Sequence, residues 1–232
     1  MSLDKDSRDK KQIFFDTLCQ QIMSMELAPG SILDEVQLSQ QFGLSRSPVR
    51  EIMRQMAAEG YIDLVPNRPA RVAPMDYQAL RSFFQAAPLI YVATTQLAAQ
   101  NAKADDVKRL RAIQAKFREA IENNDTSSRV IYNNAFHLEI GALAKNDYLM
   151  PSLKRLLIDH SRLGKMFYAP APSEEMRADM EKAANQHDEI IQAIADHDVE
   201  KAGLLIREHW DISKRRLAEF VIPSGGDVPM EL

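Results

Sequence analysis

The stretch from Asp34 to Gly60, DEVQLSQQFGLSRSPVREIMRQMAAEG, constrains this chain more than any other. Val36, Leu38 and Phe42 recur at helical spacing, a Gly43-Leu44-Ser45 turn interrupts them, and Val49, Ile52, Met53 and Met56 resume the period. The pattern predicts two short helices joined by a tight glycine turn. Ser45 is placed to cap the second helix by accepting from its free backbone N–H groups, and Pro48 falls in the first turn, where its missing donor costs little. Arg46, Ser47 and Arg50 then gather at the exposed N-terminal end, while Val49, Ile52 and Met53 face inward. Such a helix fits the major groove of DNA, where arginine takes guanine O6 and N7 as a pair or clamps a phosphate. A solvated helical face in any small bundle has the same periodicity.

The flanks extend the pattern. A helix is expected from about Lys11 to Glu26, burying Ile13, Phe14, Leu18, Ile22 and Met25 and closed by Pro29-Gly30, after a charge-rich, fraying Met1 to Lys11. Tyr61 to Val65 and Ala70 to Ala73 alternate in β fashion around Pro66-Asn67-Arg68-Pro69, a small hairpin. Asn67 tolerates a left-handed backbone better than most residues, which suits it to that turn. Pro74-Met75-Asp76 marks the end of a first domain, residues 1–76.

Beyond Tyr77 the periodicity is helical throughout. Helices are expected near 77–101, 104–123, 127–145, 148–168, 174–196 and 198–221, each with an apolar stripe such as Val107, Leu110, Ile113, Phe117 and Ile121. Asn123-Asn124-Asp125, Lys145-Asn146-Asp147 and Pro170-Ala171-Pro172 supply the turns. Six helices with short links read as an antiparallel bundle over 77–222, followed by a disordered tail, 223–232. The chain is therefore expected to be mainly α: a small helical head with a β-wing, then an all-α bundle.

Composition enters where it excludes. With 232 residues, 45% of them apolar, the chain can build one large core or two modest ones. A net charge of −4 rules out a global basic field, so charge is read locally. From Ser45 to Arg71, five arginines face Glu51, Glu59 and Asp63, a surplus of two positives. The single Cys19 excludes a disulfide scaffold and suits a reducing compartment. With neither a signal-type apolar segment nor a run of membrane-span length, the chain is expected in the cytoplasm.

Within the bundle the polar residues at inward positions carry the chemistry. Asn133 and His137 are four apart on one helix face with Val130 and Ile140. His187 precedes Ile190, Ile191 and Ile194, and His209 adjoins Trp210. Three histidines on three helices could converge to bind a divalent metal, Asn133 adding a carbonyl oxygen. For each histidine taken singly, a hydrogen-bonded core position is the commoner alternative.

Two resemblances sharpen this reading. From about Phe15 to Pro74, and most specifically in Gly43-Leu44-Ser45-Arg46-Ser47-Pro48-Val49-Arg50-Glu51, the chain resembles the winged helix-turn-helix of the GntR family of bacterial transcription regulators. That likeness implies that Arg46 and Arg50 contact operator bases or phosphates, that Ser45 and Ser47 hold the DNA backbone, and that Arg68 beside Asn67 is the wing contact. Asn67 stands where the family usually has glycine. Tyr77 to Phe220 is similar to the FCD effector domain of the FadR subfamily, on the residues Asn133-x-x-Phe136-His137, His187-x-x-Ile190-x-x-Ala193-Ile194 and Arg207-x-His209. There the equivalents of Asn133 (commonly Asp), His137, His187 and His209 hold Zn, Ni or Mn. Arg81 and Arg162 match positions where relatives turn an arginine toward the effector's carboxylate. Gln85 and Pro88 depart from the family pattern, the proline removing a backbone bond from a helix that is otherwise continuous.

These features together predict a ligand-responsive regulator, typically a repressor, that binds a palindromic operator as a homodimer. Its effector is expected to be a small carboxylate completing the coordination of a metal whose charge neutral imidazoles and an amide leave uncompensated. Two alternatives remain at this level. A metal-dependent enzyme with a bundle active site lacks a placed carboxylate base and an HExxH spacing. A scaffold or storage module would hold its metal only for structure.

Overall fold

The computed structural model describes residues 2–168 and 173–221, with side chains over 9–166 and 173–215. The expected Pro170-Ala171-Pro172 turn and the tail from Pro223 to Leu232 lie outside the described residues. The described chain forms α1 (Ser2–Met23), β1 (Ile32–Leu33), α2 (Glu35–Phe42), α3 (Arg46–Glu59), β2 (Ile62–Asp63), β3 (Ala70–Val72), α4 (Tyr77–Asn101), α5 (Ala104–Glu122), α6 (Thr126–Leu143), α7 (Leu149–Tyr168), α8 (Glu174–Ala195) and α9 (Val199–Val221). Two compact units result, one comprising the chain to Phe83 together with Pro151–Met166, the other Phe84–Met150 with the chain from Phe167 on.

In the first unit α1 and α3 bury Phe14, Leu18, Ile22, Val49, Ile52, Met53 and Met56 against Leu38, Ile62 and Val72. Each short helix is delimited by its own chemistry. Asp34 caps α2 by accepting from the N–H groups of Val36 (2.7 Å) and Gln37 (3.1 Å). Gly43 ends it in a left-handed conformation, φ 60°, that a side chain would oppose. Three strands follow in the order β1-β3-β2, all antiparallel, with Ile32 opposite Arg71 and Ile62 opposite Val72. The wing expected from Tyr61 to Ala73 is thus present, and β1, which the alternation did not announce, adds a third strand. Asn67 adopts the left-handed backbone, φ 59°.

Several expectations need correcting here. The first helix begins at Ser2 rather than Lys11 and ends at Met23 rather than Glu26. Ile13 and Val36, placed on buried stripes by spacing, are exposed at 57% and 42%. A helix covered on one side buries only its i, i+3/i+4 positions, and these two residues fall outside the arc. Ser45 occupies the N-cap position of α3, yet its hydroxyl makes no capping bond.

The second unit is helical. Packing is densest between α5 and α6, α8 and α9, and α5 and α8. Leu110, Phe117, Phe136, Ile140, Ile190, Ile194, Ile206 and Trp210 form its interior. Asp125 caps α6 through the Ser128 N–H, and Ser173 caps α8 through that of Met176. Pro88 sits inside α4, which continues from Tyr77 to Asn101 around it. One of the six bundle helices behaves differently. Pro151–Met166 of α7 clusters with the first unit, where Leu153, Leu156, Leu157, Ile158 and Leu163 are all buried. No helix among the described residues is long and apolar enough to cross a membrane.

Candidate DNA-reading helix and metal centre

The core side of α3 carries Val49, Ile52, Met53 and Met56, all buried, so the opposite side of its first turns must face outward. Ser45, Arg46, Ser47 and Arg50 are accordingly exposed, as are Asn67 and Arg68 on the wing. The Arg68 N–H donates to the Val65 carbonyl at 3.1 Å, closing the wing turn. Arg50 is not an isolated cation: its Nε donates to Glu35 Oε2 at 2.7 Å across the two short helices. Both partners are exposed, so this pair contributes at most about 1 kcal/mol and yields readily to a phosphate or base. Glu35 escaped the sequence reading because pairing between two helices depends on their crossing, which spacing does not encode.

In the second unit His137 on α6, His187 on α8 and His209 on α9 converge, with ligand nitrogens all within 4.8 Å of one another. All three rings are buried, at 5% exposure or less. Phe136 stacks on His187 (centroids 3.9 Å, planes 22° apart), Phe117 tilts against the same ring at 5.0 Å, and Tyr91 covers His137 at 4.9 Å. Burial pushes the Tyr91 phenol well above its ordinary value, so it stays neutral. The triad is lined with aromatic carbon and shielded from water.

Two glutamines set the rings. Gln114 Nε2 donates to the Ala184 carbonyl at 2.8 Å, which turns Oε1 toward His187 Nδ1 at 3.0 Å. Gln186 Oε1 stands 3.2 Å from His209 Nδ1. An amide oxygen only accepts, so both Nδ1 atoms carry the proton and both Nε2 atoms present lone pairs. Those Nε2 atoms are 3.2 Å apart. Two lone pairs this close repel unless a positive charge stands with them, either a proton on one ring or a cation shared by both. The separation is about the ligand-to-ligand edge of a tetrahedral site with metal–nitrogen bonds near 2.0 Å. Hydrogen-bonding the far ring nitrogen is also how proteins hold metal-binding histidines in the right tautomer. The residues therefore fit a divalent transition metal with an imidazole preference.

Asn133 lies one turn before His137 on α6 and is half-buried. Arg81 is exposed on α4 and Arg162 is fully buried on α7, both in the first unit. Of the two histidines outside the triad, His197 donates through Nδ1 to the Ala99 carbonyl at 2.7 Å, a structural role. The sequence reading missed Gln114 and Gln186. Gln114 left a signal: it falls on the α5 stripe between Leu110 and Phe117, a polar side chain at a buried position.

Comparison with known proteins places these sites in context. The profile for bacterial regulatory proteins of the gntR family matches residues 11–72, and that for the FCD domain matches residues 84–211. The chain is 38% identical over 82 residues to an HTH-type transcriptional regulator in an unstable DNA locus of Streptomyces ambofaciens, covering 32% of this chain and 34% of that protein. It is 22% identical over 134 residues to the Nta operon transcriptional regulator of Aminobacter aminovorans, covering 58% and 63%. The matches thus span between a third and just under two thirds of these curated relatives. Among solved structures it is similar to E. coli McbR/YncC (TM-score 0.74, 19% identity, 90% of this chain and 95% of that one). A GntR regulator from Rhodococcus sp. RHA1 is similar too (TM-score 0.70, 15% identity, 91% and 99%). At such identities the likeness is one of fold.

Proposed function

Because this chain belongs to the GntR family of bacterial regulators, in the branch that carries an FCD domain, we propose that it is a metal-dependent, effector-responsive repressor. In this reading two chains associate and set two α3 helices about one DNA turn apart on a palindromic operator. Arg46 and Arg50 read bases or phosphates, Ser45 and Ser47 bind the DNA backbone, and Asn67 and Arg68 carry the wing contact. Ser45 suits this role because its hydroxyl is not consumed in capping α3.

His137, His187 and His209 hold the metal, Zn, Ni or Mn, and Asn133 supplies a further oxygen. When bound, the ion provides a positive centre for one carboxylate oxygen of a small effector. Its charge stays uncompensated because every residue in the set is neutral, which favours an anionic ligand. Arg81 and Arg162 supply guanidinium groups for carboxylates. Effector binding then biases the disposition of the DNA-binding units, a coupling of typically ~1–3 kcal/mol.

The observation that carries this reading is the glutamine-fixed histidine triad. An enzyme is not favoured: the families matched are regulators, and no carboxylate joins the triad among the described residues. The test combines elemental analysis with operator selection from genomic fragments. Near one metal per chain, lost in both His137→Ala and His187→Ala, is expected, together with specific binding that Arg46→Ala and Arg50→Ala abolish. Specific binding untouched by those two arginine variants would refute the DNA-reading role.

A further inference from the structure

The start of α5 breaks a local rule. Its N-cap is Lys103, whose side chain has donors and no acceptor, so the helix opens without a side-chain cap and with a cation at the positive end of its dipole. Val107, Lys108 and Arg111 follow at helical spacing, which puts one apolar residue and two further cations on the same side of α5. That side borders a cleft of about 370 Å³ between the start of α5 and the end of α8. Lys103, Lys108 and Arg111 line it together with Val107 and Ile194, both buried, and with His197. Its volume falls in the range of small-molecule sites, roughly 300–1,000 Å³, and the mixture of apolar lining and a few charged groups is theirs as well.

Arg111 is held in place without being neutralised. Its Nη2 donates to Gln192 Oε1 at 3.2 Å, and Gln192 Nε2 donates to Asp196 Oδ1 at 2.8 Å. The amide therefore fixes the guanidinium and leaves its charge without a carboxylate partner among the described residues. Lys103 likewise pairs with no carboxylate among them. Lys108 meets Asp105 at 2.8 Å, but the two side chains are 77% and 81% exposed, and a pair so open to water yields readily to a better anion. The other acids close by are committed elsewhere. Asp106 accepts from the Lys103 backbone N–H at 2.8 Å and from Arg109 at 2.6 Å, and Asp198 accepts from the Lys201 N–H at 3.0 Å.

The α8 side of the cleft is rigid. His197 stands just past the C-cap of α8 in a left-handed conformation, φ 55°, where glycine is the usual residue. Its N–H donates to the Ile194 carbonyl at 3.2 Å, and its ring is tied to the end of α4 through Nδ1 and the Ala99 carbonyl.

We propose that this cleft binds a small organic phosphate, at a site separate from the metal centre. One arginine satisfies both oxygens and the single charge of a carboxylate, so three cations around one cleft exceed what that ligand can use. A phosphate monoester brings close to two negative charges and three acceptor oxygens, which matches two ammonium groups and a guanidinium. Lys103, Lys108 and Arg111 take the phosphate, and Val107 and Ile194 take the organic part. No residue assigned to the metal or to DNA lines the cleft, so the site stands whether or not the chain binds an operator.

The test is calorimetric titration of the full chain with phenyl phosphate at constant ionic strength, with inorganic phosphate and benzoate as comparison ligands. Saturable binding of phenyl phosphate is expected, tighter than that of inorganic phosphate, which has no apolar body, and about tenfold or more tighter than that of benzoate. Arg111→Gln should weaken it by about tenfold or more, and Lys103→Gln by about threefold. Both positions are exposed, and circular dichroism checks that the variants fold. Should Arg111→Gln fail that check, Lys103→Gln decides. Binding lost in Arg46→Ala would place the phosphate on the DNA-reading helix, and binding lost in His137→Ala would place it at the metal; either result overturns the site. So would benzoate binding as tightly as phenyl phosphate, affinity unchanged in the folded cleft variants, or no saturable uptake at millimolar ligand.

Discussion

The glutamine behind His187 offers the sharpest test of the metal centre. In Gln114→Met the side-chain volume is nearly kept, while the acceptor to His187 Nδ1 (3.0 Å) and the donor to Ala184 (2.8 Å) both disappear. Without the acceptor the His187 ring loses its tautomer and its orientation. Losses of this kind cost roughly 10–100-fold in metal affinity, or about 1.4–2.8 kcal/mol. The protein itself should lose about 1–3 kcal/mol, since two neutral hydrogen bonds are removed and the buried His187 N–H is left without its acceptor, while the Ala184 carbonyl lies inside α8. For a chain of this size each kcal/mol is a fall of about 2–4 °C in the metal-free melting midpoint. At a fixed zinc concentration well above the dissociation constant, a tenfold weaker site lowers the metal's stabilisation by about 1.4 kcal/mol. The gap between the melting points with and without metal should therefore narrow by a further 3–5 °C or so. Zinc titration against a chromophoric chelator gives the affinity, calorimetry with and without EDTA gives the gap, and Gln186→Met should behave alike through His209. A folded Gln114→Met chain that holds zinc within twofold of wild type would refute the argument that the glutamines prepare the rings for metal.

Three other outcomes follow from particular contacts. Glu35→Gln removes the exposed partner of Arg50 and should leave stability within about 0.5 kcal/mol while tightening operator binding by roughly two- to fivefold, as read by fluorescence anisotropy. Gly60→Ala puts a Cβ at φ 88° and against Arg155, so it should destabilise by more than about 1 kcal/mol in urea melts, and a neutral result would mean that α7 does not press on that turn. Burial pushes the His160 imidazole down to about 4 from 6.5, so between those values the unfolded chain binds a proton that the folded chain refuses. Stability should be fully present above about pH 6.5 and fall as pH drops toward 4, by on the order of 1–3 kcal/mol given the ring's partial exposure. His160→Asn should flatten that slope, and an unchanged slope would show that other groups produce it.

The contrast between α5 and α7 shows what one chain of letters can and cannot disclose. On α5 the spacing of Val107, Leu110 and Phe117 named both the helix and its buried face, and the Asn123-Asn124-Asp125 turn named its end; the helix closes at Glu122 with Asn124 left-handed. On α7 the stripe was equally legible, but a stripe states which face is buried and not what buries it. Pro151–Met166 accordingly looked like one more bundle helix, and nothing in the spacing announced the bonds of Arg162 to Asp159 and the Ala73 carbonyl.

The histidines repeat the point at the level of chemistry. Helical phase put His137, His187 and His209 each on an inward face, which three unrelated core histidines would also satisfy. Their meeting at one spot depends on how α6, α8 and α9 cross, and crossing is decided by the summed packing of Phe136, Ile140, Ile190 and Ile206, side chains that are individually interchangeable with other apolar ones. β1 fails for the opposite reason: two residues, one of them exposed, make no period at all, and the strand exists only because β3 offers it an edge. Local signals thus named the elements, and what joins the elements, the Arg50–Glu35 pair, the Gln114–His187 bond and the Arg162–Ala73 bond, lies in contacts between residues far apart in the chain. Those same contacts are where ligand, metal and DNA could act on one another, because a bond between two elements can be traded for a bond to a ligand without unfolding either element.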